Sequence, residues 1–191
     1  MNKQKYFLAA QLGAAIHLDD TATLKDVAEV LRQRYSDLAL LDGLRLCHLF
    51  CGIPKLVRSL NALAPFNCDT AIAPPGNGRS QFQQVYGADA DLVHEHLQHL
   101  DECTSDWIIN HAYGSVFANS SFSLLEREMT SVLVLTLSNC HPQALSHVRA
   151  CLRHGASPSA LIDDANDFSW FTKEQRQLLI SSINSSIEVN D

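Results

Sequence analysis

The stretch from Ser123 to Asp163 limits the possible folds of this chain more than any other part of the sequence. Apolar residues recur in it at helical spacing, and each of three helix starts carries its own signal. Ser123-Leu-Leu-Glu126 is a capping-box sequence, Pro142 suits the first turn of a second helix, and Ser157-Pro158 suits the start of a third. The sequence therefore predicts three consecutive helices here.

Apolar residues recur at helical spacing in most of the remaining chain as well. Asn139 and Gly155 are residue types that end helices, and they close the first two helices of that stretch. Thr23 is predicted to cap an earlier helix, and Pro54 to open another. The segment 37–50 is so apolar that we expect it to be buried between other helices. The predicted helices outside the stretch cover about 6–17, 24–35, 37–50, 55–63, 81–86, 89–100, 104–117 and 172–186. The sequence thus predicts an all-α protein.

A segment rich in proline and glycine divides the chain. Residues 64–80, APFNCDTAIAPPGNGRS, have a composition that prevents regular structure. We predict a linker here, between an N-terminal half, 1–63, and a C-terminal half, 81–191. LGAAIHLDDTATLKDVAEV can be laid over VRACLRHGASPSALIDDA, which indicates two degenerate helical repeats. Gln11 then falls at the place of His147, so only the C-terminal half carries the candidate chemistry.

Composition and charge exclude several classes of protein. Hydrophobic residues make up 46% and charged residues 18% of the chain, as in a soluble globular protein rather than a disordered one. The net charge of −7, with no Lys/Arg run to offset it, argues against a nucleic-acid partner. No apolar run approaches the ~20 residues of a membrane span, and Gln11 interrupts the only run that suits a signal peptide. Six cysteines without a CxxC pair indicate reduced thiols, so we expect a cytoplasmic protein.

Three residues of the stretch have types that are suited to chemistry. Glu128 lines up with an apolar row on its helix, which implies partial burial and suits the carboxylate to proton transfer. Cys140 lies at a helix N-terminus, where amide donors and the helix dipole stabilise a thiolate. His147 follows two turns later on the same face. Two alternatives stay open, namely a solvated first-turn role for Glu128 and an inert, buried Cys140.

No metal or other cofactor is predicted. His147, Cys151 and His154 form a stripe, but ligands from Cys140 to His154 span roughly 20 Å along one helix. They cannot converge on one ion with bonds of about 2.0–2.3 Å. Three histidines of the HEHLQH segment are spread around their helix and are expected to be exposed, while three cysteines are interpreted as core residues. These residues are His94, His96, His99, Cys47, Cys51 and Cys151.

The motifs of the second half resemble those of a known family. They are AYG at 112–114, the Arg127-Glu128 pair that opens an apolar helix, the turn with Pro142, His147 followed by Arg149, and HGAS at 154–157. FQQVYG and LLDGLRLCHLFCGIPKLVRSLNAL are further pieces upstream. With these motifs the chain resembles the carboxymuconolactone decarboxylase-like family, which includes the alkylhydroperoxidase D-type proteins. The resemblance covers residues 7–63 and 81–163.

The resemblance implies a helical bundle that forms homo-oligomers and acts on a small molecule. The thiol peroxidase branch uses a glutamate, a CxxC pair and a histidine as a proton relay, and Gln143 replaces the second cysteine here. Cys151 lies about three turns from Cys140 on one helix, too far for a disulfide. The decarboxylase branch needs no cysteine pair. In that branch the carboxylate of Glu128 and His147 would handle protons during lactone decarboxylation.

Three interpretations of the function follow. The favoured one is a carboxymuconolactone decarboxylase-like lyase that acts on a small organic acid or lactone, with Glu128 and His147 as acid–base residues. The second is a single-cysteine thiol peroxidase of the alkylhydroperoxidase D type that also uses Cys140. The third is a non-catalytic helical oligomer with a decayed site. Contacts to substrate are assigned to Tyr113, Gln143 and Arg149.

Overall fold

The computed structural model describes residues 4–68 and 74–188, which form helices and contain no β-strand, so the all-α prediction is confirmed. A 3-10 turn, Gly87–Asp89, precedes α6, and a π-helix, Ile108–Phe117, follows α7. None of the described helices is both long and apolar enough to cross a bilayer. The α-helices are α1 (Gln4–His17), α2 (Thr21–Arg34), α3 (Asp37–Cys51), α4 (Ile53–Leu63), α5 (Gly78–Tyr86), α6 (Ala90–Leu100), α7 (Glu102–Trp107), α8 (Leu124–Leu137), α9 (His141–Arg153), α10 (Pro158–Asp167) and α11 (Lys173–Glu188).

Contacts divide the described residues into two compact units. Residues 4–68 and 122–188 form the first unit, and residues 74–121 form the second. The sequence predicts a different division, into 1–63 and 81–191. The predicted linker at 64–80 is also shorter in the structure, because α5 already begins at Gly78; its residues 69–73 lie outside the described part of the chain. Helices far apart in sequence pack together because α8 is buried on every side and must be covered by other helices.

The central helix of the first unit is α8. Every residue from Arg127 to Leu137 is buried, and the helix packs against α1, α3, α9 and α11. One apolar cluster joins α8 to α1, α9, α10 and α11, and a second joins α1 to α2, α3 and α4. The burial of most of α3 confirms the prediction for segment 37–50. Such an arrangement places polar residues of α8 inside the core, away from water.

The helix starts of α4, α8, α9 and α10 agree with the predicted signals, and that of α2 does not. Ser123 and Glu126 form the predicted capping box, with the Ser123 N–H donating to the Glu126 carboxylate at 2.8 Å. The cap of α2, however, is Asp20 and not Thr23, so that prediction is wrong. The Thr23 N–H donates to Asp20 Oδ1 at 3.0 Å. Asp is as good a cap as threonine, and the helix therefore starts earlier.

Three helix ends of the first unit, those of α1, α8 and α9, share one type of turn. In the turn between α8 and α9, Asn139 has a φ of 59° and its N–H donates to Thr136 O at 3.1 Å. The Cys140 N–H donates to Leu135 O at 2.9 Å, which completes a Schellman motif. Gly155, with a φ of 90°, closes α9 in the same way. Asp19, with a φ of 59°, closes α1 likewise. The first helix in each of the two segments of the predicted repeat thus ends alike, while the repeat itself stays a prediction.

The second unit is built around aromatic rings. Phe82 contacts Tyr86 and Tyr113, with ring centroids 4.4 and 5.1 Å apart, and Tyr113 also contacts Phe117. The sequence predicts that Tyr113-Gly114 ends or kinks a helix, whereas the chain passes through this point as the π-helix. Gly78 packs directly against that π-helix, where a Cβ atom would collide with the carbonyl oxygen of Ile109.

Candidate acid–base site

The side chains of Glu128 and His147 meet inside the first unit. His147 Nδ1 lies 2.6 Å from Glu128 Oε2. α9 folds back along α8 after the short turn at Asn139, so a residue near the start of α8 faces the middle of α9. The two residues are thus within direct hydrogen-bond reach, as a proton relay requires.

Both members of this pair are buried. Glu128 has no exposed surface, and the side chain of His147 is 8% exposed. The alternative of a solvated first-turn role for Glu128 is therefore wrong, because α8 is enclosed along this whole face. Oε1 of Glu128 is enclosed without a hydrogen-bond partner among the described residues. A buried carboxylate is costly unless it is hydrogen-bonded, so the bond to His147 is its main stabilising contact.

The hydrogen bond fixes which imidazole nitrogen is available for chemistry. An ionised Glu128 only accepts hydrogen bonds, and this contact then requires the proton on Nδ1 of His147. Nε2 then lies on the side of the ring away from the enclosed carboxylate and, in the neutral ring, holds a free lone pair. The pair therefore has the arrangement of a proton-transferring histidine with an orienting carboxylate.

Burial and the neighbouring carboxylates shift the pKa values of two groups near the pair. Burial lowers the pKa of the Arg127 guanidinium, while Glu128 and Glu126 act in the opposite direction. Burial raises the pKa of the Cys151 thiol well above its usual range, and the nearby carboxylates of Glu128 and Asp164 raise it further. Cys151 has no exposed surface, in keeping with its predicted role as a core residue. The interior around Glu128 thus disfavours additional negative charge.

Cys140 lies at the turn that precedes α9. It is the N-cap residue of this 13-residue helix, and its thiol is half-buried and donates to the carbonyl oxygen of Ser138 at 3.6 Å. Because His147 is two turns further on, the two residues are about 10 Å apart along the helix axis. The structure therefore places Cys140 on the same helix as His147, at the outer end of the site and not beside Glu128.

The three predicted substrate contacts lie in different environments. Gln143 is exposed and lies one turn before His147, on the same face of α9. Arg149 is half-buried and, two residues after His147, projects about 200° around the helix from it. Tyr113 belongs to the aromatic cluster of the second unit and is buried. Of the three, Gln143 shares the face of α9 that carries His147.

A second buried carboxylate was not predicted from the sequence. The Tyr6 hydroxyl donates to Asp164 Oδ2 at 2.8 Å, and both residues are 2% exposed. Burial and the Asp164 carboxylate raise the pKa of Tyr6 far above its usual range. Tyr6 and Asp164 are 158 positions apart, so no local pattern links them. Gln175 of α11, which binds the turn before α9, was also missed, although its Thr172-Lys-Glu-Gln175 capping sequence is visible.

The remaining histidines and cysteines show no arrangement for a metal. Among the described residues, no group of three or more His, Cys, Asp or Glu side chains is placed to hold an ion. His96 and His99 are exposed as predicted, whereas His94 is half-buried, with its ring against the edge of Phe82. Cys47 is fully buried, and Cys51, predicted to be core, is only half-buried.

Comparison of the chain with known protein families, with curated proteins and with solved structures finds no match. The resemblance to the carboxymuconolactone decarboxylase-like family therefore stays a prediction that depends on the motifs quoted above. The buried Glu128–His147 pair stands independently of that resemblance, because it follows from the geometry of α8 and α9.

Proposed function

We propose that this protein is an acid–base enzyme that acts on a small organic acid or lactone, in the manner of a carboxymuconolactone decarboxylase-like lyase. The single observation that carries the proposal is the 2.6 Å contact between His147 Nδ1 and Glu128 Oε2. A small-molecule substrate and a homo-oligomeric assembly, both implied by the family resemblance, belong to the same proposal.

The proposal gives the two residues different roles. Glu128 is fully enclosed, so its carboxylate acts on the substrate only through His147. It holds the ring in one orientation and one tautomer and stabilises the positive charge that His147 acquires with a proton. Glu128 is thus a positioning residue, and His147 is the group that exchanges a proton with the substrate at Nε2.

The proton transfer follows the chemistry of decarboxylation. Loss of carbon dioxide from a carboxylate leaves an electron pair on carbon, which an adjacent carbonyl group or double bond of the substrate must delocalise. The protonated His147 then donates its Nε2 proton to that carbon and becomes neutral. Gln143, exposed one turn before His147, is placed to bind a polar group of the substrate. A positioned general acid of this kind contributes about 10²–10⁴-fold to the rate.

The proposal is tested with a panel of small carboxylic acids and lactones, with carbon dioxide release as the assay. The wild type, His147→Gln and Cys140→Ser are compared. We expect turnover that falls about 10²–10⁴-fold in His147→Gln and is retained in Cys140→Ser. Turnover that His147→Gln leaves unchanged would contradict the proposal. Absence of turnover across the panel would favour the non-catalytic oligomer with a decayed site.

A second candidate is a single-cysteine thiol peroxidase, favoured by the place of Cys140 at the N-terminus of α9. Its thiolate would attack a hydroperoxide, take one oxygen to become a sulfenic acid and release an alcohol, and an external thiol would reduce it. Burial raises the pKa of Cys47 and Cys51, the latter to about 11, so these thiols are poor alternatives. Peroxide consumption that is lost in Cys140→Ser would establish this candidate instead.

A further inference from the structure

The turn that joins α8 to α9 is held by a side chain from the far end of the chain. Gln175, in the first turn of α11, donates from Nε2 to the Leu137 carbonyl oxygen at 2.9 Å and to Asn139 Oδ1 at 3.0 Å. Leu137 is the last residue of α8, and its carbonyl is not used by the Schellman motif of the turn. Gln175 thus satisfies a carbonyl group that the helix itself leaves open.

The amide of Gln175 is fixed in one orientation. Its Oε1 accepts from the Thr172 N–H at 3.0 Å, while the Gln175 N–H donates to Thr172 Oγ1 at 3.2 Å, which is a capping box. The amide NH₂ group must therefore point towards the α8–α9 turn, where both of its hydrogens are used. Gln175 is 7% exposed, so water does not readily replace it as a donor.

We propose that Gln175 is a positioning residue of the candidate site, which sets the register of α9 against α8 and thereby the bond between His147 and Glu128. The inference rests on the proposed function in so far as that bond serves proton transfer. The turn is the only covalent connection between the two helices, and each of the two residues lies within three turns of it. A change in the turn therefore shifts their side chains relative to each other.

The test measures the His147 Nδ1–H without any substrate. Exchange of this proton with solvent is followed by NMR in Gln175→Ala and Gln175→Glu, which lose the NH₂ donors. The matched control is Arg176→Ala, which removes a bond of the next residue, from Arg176 Nε to the Ala165 carbonyl at 3.0 Å, and so loosens α11 from α10 instead. We expect exchange to accelerate at least about tenfold in both Gln175 variants and to change little in the control.

Equal acceleration in Arg176→Ala and Gln175→Ala, at equal loss of thermal stability, would overturn the inference, because general loosening of α11 would then explain both. If Gln175→Ala does not fold, Asn139→Gly supplies the comparison, since glycine keeps the positive φ and removes only the Oδ1 acceptor. We expect a smaller acceleration there, and none would contradict the inference. The readout needs no turnover, so its failure is distinct from failure of the proposed function.

Discussion

Two regions of the first unit each bury a carboxylate against an ionisable side chain, and they differ in what the partner can do. Between α8 and α9, Glu128 accepts from His147 at 2.6 Å. Between α1 and α10, Asp164 accepts from Tyr6 at 2.8 Å. Both carboxylates lie in the same apolar surroundings, and both raise the pKa of the Cys151 thiol. Burial and bond length alone therefore do not distinguish them.

The difference lies in the proton that each partner holds. Burial and Asp164 raise the pKa of Tyr6 so far that its hydroxyl keeps its proton in the folded protein. The ring of His147 offers a second nitrogen on the side away from the carboxylate, where a proton can be exchanged. A buried carboxylate thus indicates chemistry only when its partner can exchange a proton, and we assign a structural role to Tyr6–Asp164.

The largest expected effect separates the two pairs by activity. His147→Gln should lower turnover about 10²–10⁴-fold, because it removes the proton-exchanging nitrogen. Tyr6→Phe should leave turnover within about twofold once the fraction of folded protein is matched. The measurement is the rate of carbon dioxide release, with folding checked by circular dichroism. A larger loss of activity in Tyr6→Phe than in His147→Gln would contradict the assignment of a structural role to Tyr6 and of proton exchange to His147.

The next effect concerns stability. Tyr6→Phe leaves Asp164 Oδ2 buried without the hydroxyl donor, and we expect a loss of about 1–3 kcal/mol in the free energy of unfolding. Urea denaturation measures it. Tyr35→Phe is the control, because Tyr35 is only half-buried; it should change stability by less than about 0.5 kcal/mol. Equal losses in the two variants would show that the Tyr6–Asp164 hydrogen bond adds no more to the free energy of unfolding than the hydroxyl of Tyr35.

The smallest effect is the change that Tyr6→Phe makes in the alkaline pH dependence of stability. The raised pKa values of Tyr6, Cys47, Cys51 and Cys151 mean that these groups stay neutral when folded and ionise more readily when unfolded. Their contribution to the free energy of unfolding is complete below the pKa values of the unfolded chain, near 8.5 for thiols and 10 for tyrosine. Above these pKa values it is lost at about 1.4 kcal/mol per pH unit and group. Stability should therefore fall above about pH 8.5. Tyr6→Phe should flatten the fall above pH 10, and an unchanged slope there would argue against a buried neutral Tyr6.

The sequence shows one of the two pairs and hides the other for a physical reason. Glu128 and His147 lie on consecutive helices joined by a short turn that Asn139 and Pro142 mark in the sequence, so the local pattern and the family resemblance together indicate that they meet. Tyr6 and Asp164 meet only because α1 and α10 pack in the same core, which no local spacing records. The fold class follows from periodicity in the same local sense.

The division into two units could not be predicted from the sequence, for a similar reason. Proline and glycine at 64–80 show where regular structure is interrupted, and they carry no information on which helices pack together afterwards. The packing is determined by α8, which is buried on all sides and is covered by α1 and α3 as well as by α9 and α11. The cap of α2 shows the limit on a smaller scale, since Asp20 and Thr23 are equally plausible caps until their hydrogen bond is seen.

The most direct test of the central claim is the tautomer of His147, read from the nitrogen chemical shifts of its ring in the intact protein near pH 8. The account predicts a proton on Nδ1 and none on Nε2 in the neutral ring, because the Glu128 carboxylate accepts from Nδ1. In Glu128→Ala the ring should shift towards the Nε2–H tautomer that free histidine prefers. A proton on Nε2 with none on Nδ1 in the wild type, or the same tautomer with and without Glu128, would contradict the claim that Glu128 prepares His147 for proton transfer.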